Sequence, residues 1–264
     1  MDLENLCKRT REICQDVADF MKTQQEKIQT NHIENKGIHD FVTYVDKTSE
    51  EKLVHALQPL LPEAGFIAEE GTTTKRGKVF NWIIDPLDGT TNYIHKLSPY
   101  AISIALMEND KVVMGVVYEV GLKECFYSWK GAPAYLNGRE ISVSNAESIQ
   151  DSLIATGFPF TNYSQLDRFM RSLKYFIENT HGVRRPGSAA TDLAYVACGR
   201  FDAFYEYSLH AWDVAAGAFL VQQAGGKVCN FSMGDNFIFG EQIVASNSKV
   251  HEEFAIQVNR YMVK

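Results

Sequence analysis

The chain has 264 residues, of which 45% are hydrophobic and 22% charged, so it is long enough for one large globular domain or two small ones that share a core. Its net charge of −7 disfavours nucleic acid as a partner, and no apolar run approaches the roughly 20 residues of a membrane span. The N-terminus is too polar and acidic for a signal peptide. Together these features predict a cytoplasmic protein without a membrane partner.

The first predicted elements are a helix, a short strand and a second helix. Apolar residues recur at steps of three and four over residues 3–21, which predicts an amphipathic helix. The segment DFVTYVD at residues 40–46 predicts a strand, and Thr48 with Glu51 predicts a capping box at the start of the next helix. Asp46 is therefore expected where a strand becomes a helix.

A block of strands is predicted next. The segments GFIAEE and VFNWIID each predict a strand, separated by a polar loop. Residues 100–120 predict two strands joined at residues 108–110, and a further strand and an Asn-Gly turn follow, so the chain from residue 100 onward is predicted to form antiparallel strands.

The second half predicts helices alternating with strands. A helix is predicted around SQLDRFMRSLKYFIENT, and GVRRPGSAATDLAYVACGRFDAFYEY predicts a strand, a turn, a helix and a strand. The segment LHAWDVAAGAFLVQQAGG predicts a helix that ends at Gly225 and Gly226. Taken alone, these patterns predict only an α+β protein.

The cysteines show no metal-binding or disulfide pattern. They form no C-x-x-C pair and no zinc spacing, so they are predicted to be reduced and mostly buried. The five positions are Cys7, Cys14, Cys125, Cys198 and Cys229.

Acidic residues recur where predicted strands end, which is where α/β proteins gather ligands. Glu69 and Glu70 end GFIAEE, Asp85 and Asp88 end WIIDPLD, and Asp213 opens the WDVAAGAFLV helix. Clustered carboxylates raise each other's pKa and cost stability, so a cation is expected to offset them. Mg²⁺ prefers oxygen ligands and keeps several waters, so acids on separate loops suit it.

The segment DPLDGTT also offers groups for an anion. Pro86 stiffens the turn so that Asp85 and Asp88 face one ion, and the Leu87 carbonyl adds a neutral oxygen. The next amides are expected to point at an anion, particularly if a helix starts there. These amides belong to Gly89, Thr90 and Thr91. Metal ligands beside amide donors predict a phosphate site.

Each feature has a plainer interpretation on its own. D-P-x-D-G is an ordinary turn sequence, and Asp213 fits a helix N-cap or first-turn acid. Glu69 and Glu70 before a polar loop fit a solvated pair. Only their joint occurrence favours a metal site.

The segments GFIAEE, WIIDPLDGTTNYIH and LHAWDVAAGAFLVQQAGG, in this order and spacing, closely resemble the inositol monophosphatase family of Mg²⁺-dependent, lithium-inhibited phosphomonoesterases. The resemblance runs from about residue 5 to about residue 255. It implies an α+β fold, the layered α-β-α-β-α sandwich of the sugar phosphatase type, and a homodimer. It also implies one domain over residues 1–264, with two αβ halves that meet near residues 145–150 and share the active site.

The resemblance implies two to three Mg²⁺ ions per active site. Glu69, Asp85 and the Leu87 carbonyl would hold the first ion, and Asp85, Asp88 and Asp213 the second. A third, weaker ion would lie near Glu69.

Three further residues are assigned to the site by the same resemblance. Asp46 matches the family element before the second helix, and Glu70 is an additional candidate. Lys36 matches only if one residue is missing from the intervening loop, and a solvated loop lysine is the alternative.

The resemblance also implies a mechanism without a covalent phosphoenzyme. A metal-activated water attacks phosphorus, and Thr90, hydrogen-bonded to Asp46, orients it and helps to remove its proton. Glu69 belongs to the same catalytic set. The amides of Gly89, Thr90 and Thr91 spread charge from the phosphoryl oxygens.

For the alcohol half of the substrate, the resemblance implies contacts from Asp88, Asp213 and Glu206. The turn Gly187-Ser188-Ala189 lines the ring. Carboxylates accept hydrogen bonds from neighbouring hydroxyls, although Glu206 alone would fit a surface or strand-edge acid. The preceding arginines, Arg184 and Arg185, face either the substrate or a dimer partner.

Related phosphatases on this fold act on fructose 1,6-bisphosphate or adenosine bisphosphates, so the fold does not fix the substrate. Thr91-Asn92 resembles the inositol group, whereas nucleotidases carry Lys-Glu or Lys-Gly there, which favours a small polyol monophosphate. The function that the whole resemblance implies is hydrolysis of myo-inositol monophosphate. Some bacterial members also bind the transcription machinery. The intact acidic set predicts that such a role would be additional to catalysis.

Overall fold

The structure is a computed structural model that describes residues 1–27, 33–37, 40–159 and 162–263, with residues 33–37 and 40–43 described by their backbone alone. Its helices are α1 Leu3–Gln25, α2 Tyr44–Leu57, α3 Thr90–Ile94, α4 Leu166–Asn179, α5 Ala189–Ala197, α6 Ala211–Gln223 and α7 His251–Met262. Its strands are β1 Ile33–Gly37, β2 Asp40–Thr43, β3 Gly65–Ala68, β4 Phe80–Asp88, β5 Ala101–Glu108, β6 Lys111–Glu119, β7 Glu124–Trp129, β8 Ala134–Leu136, β9 Arg139–Ile141, β10 Leu153–Thr156, β11 Gly182–Arg184, β12 Ala203–Tyr207, β13 Lys227–Cys229 and β14 Gln242–Ser246.

Two large sheets carry the fold. The seven-stranded sheet has the order β3-β4-β5-β6-β7-β8-β9, in which β3 and β4 are parallel and the other pairs antiparallel. The five-stranded sheet has the order β11-β10-β12-β14-β13, with β10 parallel to both of its neighbours. The antiparallel pairing predicted from residue 100 onward is therefore confirmed for β5 to β9.

Alternating side chains place helices on both faces of each sheet. Trp82 and Ile84 pack with α1 and α2, whereas Ile83 faces α5 and α6 on the other side. Ile243 faces the same middle layer from the second sheet, and Val244 packs outward with α4 and α7. The layered α-β-α-β-α sandwich predicted from the resemblance is confirmed. The division near residues 145–150 stays a prediction.

The start of α2 differs from the prediction. The helix begins at Tyr44, so the segment 44–46 is helical and Thr48 lies inside the helix instead of capping it. Buried side chains recur every four residues along the helix, and α2 packs on α1 through this stripe. They are Val45, Ser49, Leu53 and Leu57. Burial of that stripe overrides the local capping signal, and Asp46 lies in the first helical turn.

The predictions for the hairpin turns and for the cysteines are confirmed. The hairpin turns at Asn109-Asp110 and at Asn137-Gly138 have positive φ at both residues, as short β-hairpin turns require. All five cysteines are free, and four of them are buried. Within the described ranges, no helix is long and apolar enough to cross a membrane.

Candidate active site

Two acids on β4 face the same side of the large sheet because the strand contains a bulge. Asp85 pairs with Ser103 and Asp88 with Ala101, so a step of three residues on β4 matches a step of two on β5. In a regular strand, side chains three residues apart point to opposite faces, and the extra residue brings both acids to one face. Pro86 lies in the bulge, where prolines are tolerated. The predicted turn is thus a bulged strand that directs both carboxylates toward the middle helices.

A third acid reaches this cluster from α6. Asp213 lies in the first turn of α6, where its Oδ2 accepts a hydrogen bond from the His210 amide at 2.6 Å. The Ser103 hydroxyl donates to the Trp212 carbonyl at 3.0 Å, which fixes the start of α6 on β5. One carboxylate oxygen from each of Asp85, Asp88 and Asp213 lies within 4.8 Å of the other two.

Burial raises the pKa values of these three acids, and neighbouring carboxylates raise those of Asp85 and Asp213 further. Burial raises the pKa of Asp85 well above its usual range, and the nearby carboxylates, Glu69 foremost, raise it further. Burial raises the pKa of Asp88 to about 6 against two hydrogen bonds that lower it. Burial and then the Asp88 charge raise the pKa of Asp213 to about 7. The cluster is therefore electrostatically unfavourable by itself and suits a cation.

The donor set fits Mg²⁺. The described residues that line this cavity include no histidine or cysteine, whereas four of them, Glu69, Asp85, Asp88 and Asp213, carry carboxylates and Leu87 offers its backbone carbonyl. Hard divalent cations prefer such oxygen ligands. These five residues are the candidates to hold the metal.

Without metal, the stability of the protein is expected to fall as pH rises. The folded-state pKa values of Asp88, about 6, and Asp213, about 7, exceed the value of roughly 3.9 for aspartate in an unfolded chain. The folded protein therefore binds more protons between about pH 4 and pH 7, and its free energy of unfolding decreases across that interval. Mg²⁺ replaces these protons and therefore stabilises the folded protein. At pH 8 and a Mg²⁺ concentration 100 times its Kd, we expect the free energy of unfolding to increase by about 2.7 kcal/mol and Tm to rise by about 5 to 10 °C. At pH 5 we expect a smaller increase, because protons compete with the metal for the carboxylates.

Thermal unfolding in EDTA and in MgCl₂ at both pH values checks this expectation, with NaCl of equal ionic strength as the control. A metal-free Tm that rises from pH 5 to pH 8 would contradict it. So would an equal Mg²⁺ effect at both pH values.

Thr90 connects the cavity to the buried Asp46. Gly89 precedes α3 with a φ of 93°, a left-handed conformation that favours glycine, and Thr90 begins the helix. The Thr90 hydroxyl lies 3.0 Å from Asp46 Oδ1 and 3.1 Å from the Leu87 carbonyl oxygen, and it donates to one of them at a time. Thr90 lines the cavity, whereas Asp46 lies behind it at 1% exposure.

The segment before α5 forms the opposite wall. The Ser188 hydroxyl and the Ala190 amide each donate to Asp88 Oδ2 at 2.7 Å. The Asn92 side-chain amide donates to the Pro186 carbonyl at 2.9 Å, which ties this segment to α3. The cavity is consequently built from both sheets and their connecting helices.

Glu206 on β12 occupies a space that only glycine leaves open. A Cβ atom built on Gly157 would lie 1.9 Å from Glu206 Oε1, so the carboxylate lies directly against the Gly157 backbone. Asp192 and Arg185 line the same cavity. Arg185 is the arginine of this pair that lines the cavity, whereas Arg184 does not line it and donates to the Val183 carbonyl.

Most predicted site residues line this one cavity. The predicted members are Glu69, Asp85, Leu87, Asp88, Gly89, Thr90, Thr91, Gly187, Ser188, Ala189, Glu206 and Asp213. Sequence patterns do not indicate Gly157, Asp192 or Leu209, which line it as well. In GSAATDL, Asp192 occupies a position typical of an acidic residue in the first turn of a helix. The sequence around it therefore does not predict that it lines the cavity.

Of the two remaining predicted residues, Glu70 lies outside the cavity and the Lys36 side chain is not described. Glu70 does not line the cavity, because its amide donates to Glu50 Oε2 at 2.6 Å and turns this part of the loop away. Glu50 also accepts from the Thr72 amide at 2.7 Å, so this buried acid, absent from the prediction, anchors the loop behind Glu69. Lys36 belongs to β1, and its side chain is outside the described part of the chain.

The chain matches known proteins over nearly its whole length. The model of the inositol monophosphatase family matches residues 2–262. A Nus factor SuhB of Pseudomonas aeruginosa is 40% identical over 229 residues, which cover 85% of this chain and 84% of that protein. An inositol-1-monophosphatase of Caulobacter vibrioides is 36% identical over 255 residues, which cover 95% and 96%.

A solved structure has the same fold. The extragenic suppressor protein suhB of Bartonella henselae superposes with a TM-score of 0.89 at 31% identity. The match covers 100% of this chain and 99% of that one.

Proposed function

This chain belongs to the inositol monophosphatase family, and we propose that it hydrolyses myo-inositol monophosphate to myo-inositol and phosphate with Mg²⁺ as its cofactor. The family resemblance found in the sequence is confirmed. The observation that carries the proposal is the oxygen-only cluster of Asp85, Asp88 and Asp213, which lies beside further carboxylates in one cavity. Such a cluster suits Mg²⁺, and the neighbouring acceptors suit an alcohol rich in hydroxyl groups.

Residues of this chain position the attacking water. Bound Mg²⁺ would lower the pKa of a water and offset charge on the phosphoryl group. The Thr90 oxygen accepts a proton from the attacking water while its own hydrogen passes to Asp46 Oδ1, 3.0 Å away. The first-turn amides of α3 have no helical partner and are available to phosphoryl oxygens.

The alcohol half of the substrate is proposed to lie against Glu206. A hydroxyl group donates to the Glu206 carboxylate, whereas a second phosphate would be repelled by it and by Asp192. This charge pattern favours a polyol monophosphate over fructose 1,6-bisphosphate or an adenosine bisphosphate.

Phosphate release from a substrate panel tests this choice. The panel contains myo-inositol 1-phosphate, fructose 1,6-bisphosphate and 3′-phosphoadenosine 5′-phosphate, each with and without lithium. We expect the highest kcat/KM, and inhibition by lithium, for the inositol ester. A higher value for either bisphosphate would contradict the proposed substrate and leave the proposed metal site intact.

Replacing Gly157 with Ala is expected to displace the Glu206 carboxylate, since the new Cβ would lie 1.9 Å from its Oε1. Loss of a hydrogen bond to a charged group predicts a fall of about 10- to 100-fold in kcat/KM for the inositol ester. Steady-state kinetics check this, and Gly234→Ala is the control, because its φ is not left-handed and the nearest atoms to its Cβ position lie 3.5 Å away, an ordinary contact distance. Unchanged kinetics for Gly157→Ala would contradict the assigned role of Glu206.

A second candidate role is association with the transcription machinery. The observation that favours it is the name Nus factor carried by a relative that is 40% identical over 85% of this chain. Capture of purified RNA polymerase by the immobilised protein tests it, with Asp88→Asn as the comparison. Equal capture by both forms would support a binding role separate from catalysis, and no capture by either would contradict it.

We also propose a cytoplasmic homodimer. The family resemblance supports the dimer, and five free cysteines suit a reducing compartment.

A further inference from the structure

A second buried acid lines the cavity together with Glu206. Asp192 lies near the start of α5, is 1% exposed, and lines the cavity together with Asp88 and Glu206. Within the described residues, neither of its carboxyl oxygens has a hydrogen-bond partner. An unpartnered buried carboxyl group costs free energy, so its presence in a cavity calls for a donor from a ligand.

The charges around Asp192 indicate which donor fits. Burial raises the pKa of Asp192, and the carboxylates of Glu206 and Asp88 raise it further, whereas Arg185 lowers it. An anionic group would be repelled by the three acids. A neutral hydroxyl group donates a hydrogen bond without adding negative charge.

The position of Asp192 also relates it to the metal cluster. The amide of Ala190, two residues earlier on α5, donates to Asp88 Oδ2 at 2.7 Å. The same helical turn thus holds a candidate metal ligand through its backbone and places Asp192 in the cavity wall. A substrate with its phosphate at the cluster would place its alcohol within this acidic region.

We propose that Asp192 accepts a hydrogen bond from a hydroxyl group of the substrate alcohol, so that Asp192 and Glu206 together recognise two hydroxyl groups. This inference rests on the proposed function, because it requires an alcohol with hydroxyl groups besides the esterified one. Asp192 is a specificity residue, since it binds the alcohol and takes no part in the attack on phosphorus.

The test compares two esters in Asp192→Ala and Asp192→Asn. The esters are myo-inositol 1-phosphate and 4-nitrophenyl phosphate, whose leaving group has no other hydroxyl. We expect Asp192→Ala to lower kcat/KM for the inositol ester by about 10- to 100-fold and to change the aromatic ester by less than about twofold. Asp192→Asn keeps an acceptor oxygen and is expected to retain an intermediate kcat/KM for the inositol ester only. Tyr195→Phe, on the same helix but packed against Phe126, is the control.

The outcomes separate the inference from the proposed function. Equal losses on both esters in Asp192→Ala would indicate a structural role and overturn the inference, and so would an unchanged kcat/KM for the inositol ester. If Asp192→Ala does not fold, Asp192→Asn decides by the same comparison of the two esters. A wild-type protein that hydrolyses the aromatic ester and not the inositol ester would instead contradict the proposed function, and the inference would fail with it.

Discussion

Replacing Asp85 with Asn is expected to abolish most Mg²⁺-dependent phosphate release, with a loss of at least about 10³-fold. Changes to groups that only hydrogen-bond to metal ligands already cost about 10- to 100-fold, so loss of a ligand costs more. Asp85 is the buried member of the cluster and is surrounded by Glu69, Asp88 and Asp213. Its neutralisation removes charge from the site at which the metal is proposed to bind.

The same variant is expected to unfold at a higher temperature than the wild type in EDTA at pH 8. A buried carboxylate among like charges destabilises the folded state, and an amide of the same shape does not. Initial rates and thermal unfolding check the two effects together. Asp202→Asn is the matched control, because Asp202 binds the Leu153 amide and the Ser144 hydroxyl outside the cavity. A rate loss below tenfold for Asp85→Asn, or a lower Tm in EDTA, would contradict the assignment.

Replacing Thr90 with Ala is expected to lower kcat by about 10² to 10⁴, the range for loss of general-base assistance. The hydroxyl lies between the cavity and Asp46 Oδ1, so its removal leaves the proton of the attacking water without this path. KM is expected to change little, because the interaction acts in the transition state.

The conservative variant Thr90→Ser retains a hydroxyl and is expected to keep kcat within about tenfold of the wild type. Asp46→Asn should lose as much as Thr90→Ala, and the double variant should lose little more, since the two groups act as one unit. Steady-state kinetics of the four proteins check this. Equal losses in Thr90→Ser and Thr90→Ala would contradict a proton-transfer role for the hydroxyl.

The sequence predicts the acids of the site because their positions carry a chemical pattern. Asp85 and Asp88 follow a buried apolar run, and Asp213 opens an apolar helix, so both segments could be identified locally. The bulge that turns both β4 acids to one face depends on the register with β5, which is a property of the partner strand. The sequence therefore predicts the residues of the cluster but not the backbone that aligns them.

Residues that act through distant partners could not be predicted. Gly157 leaves the space that the Glu206 carboxylate occupies, and Asp192 lines the cavity because α5 packs beside it. Neither position can be recognised from its neighbours in the sequence. The capping signal at Thr48 is wrong because burial of the α2 stripe on α1 outweighs a local preference. Strands as short as β13 and β14 carry too few residues for a clear alternation.

The measurement that tests the central claim most directly is the initial rate of phosphate release from myo-inositol 1-phosphate as Mg²⁺ is added to the metal-free protein. The proposed site predicts no release in EDTA and a rate that rises and saturates with Mg²⁺. Release that continues unchanged in EDTA would contradict a function for the acidic cluster in metal-dependent hydrolysis.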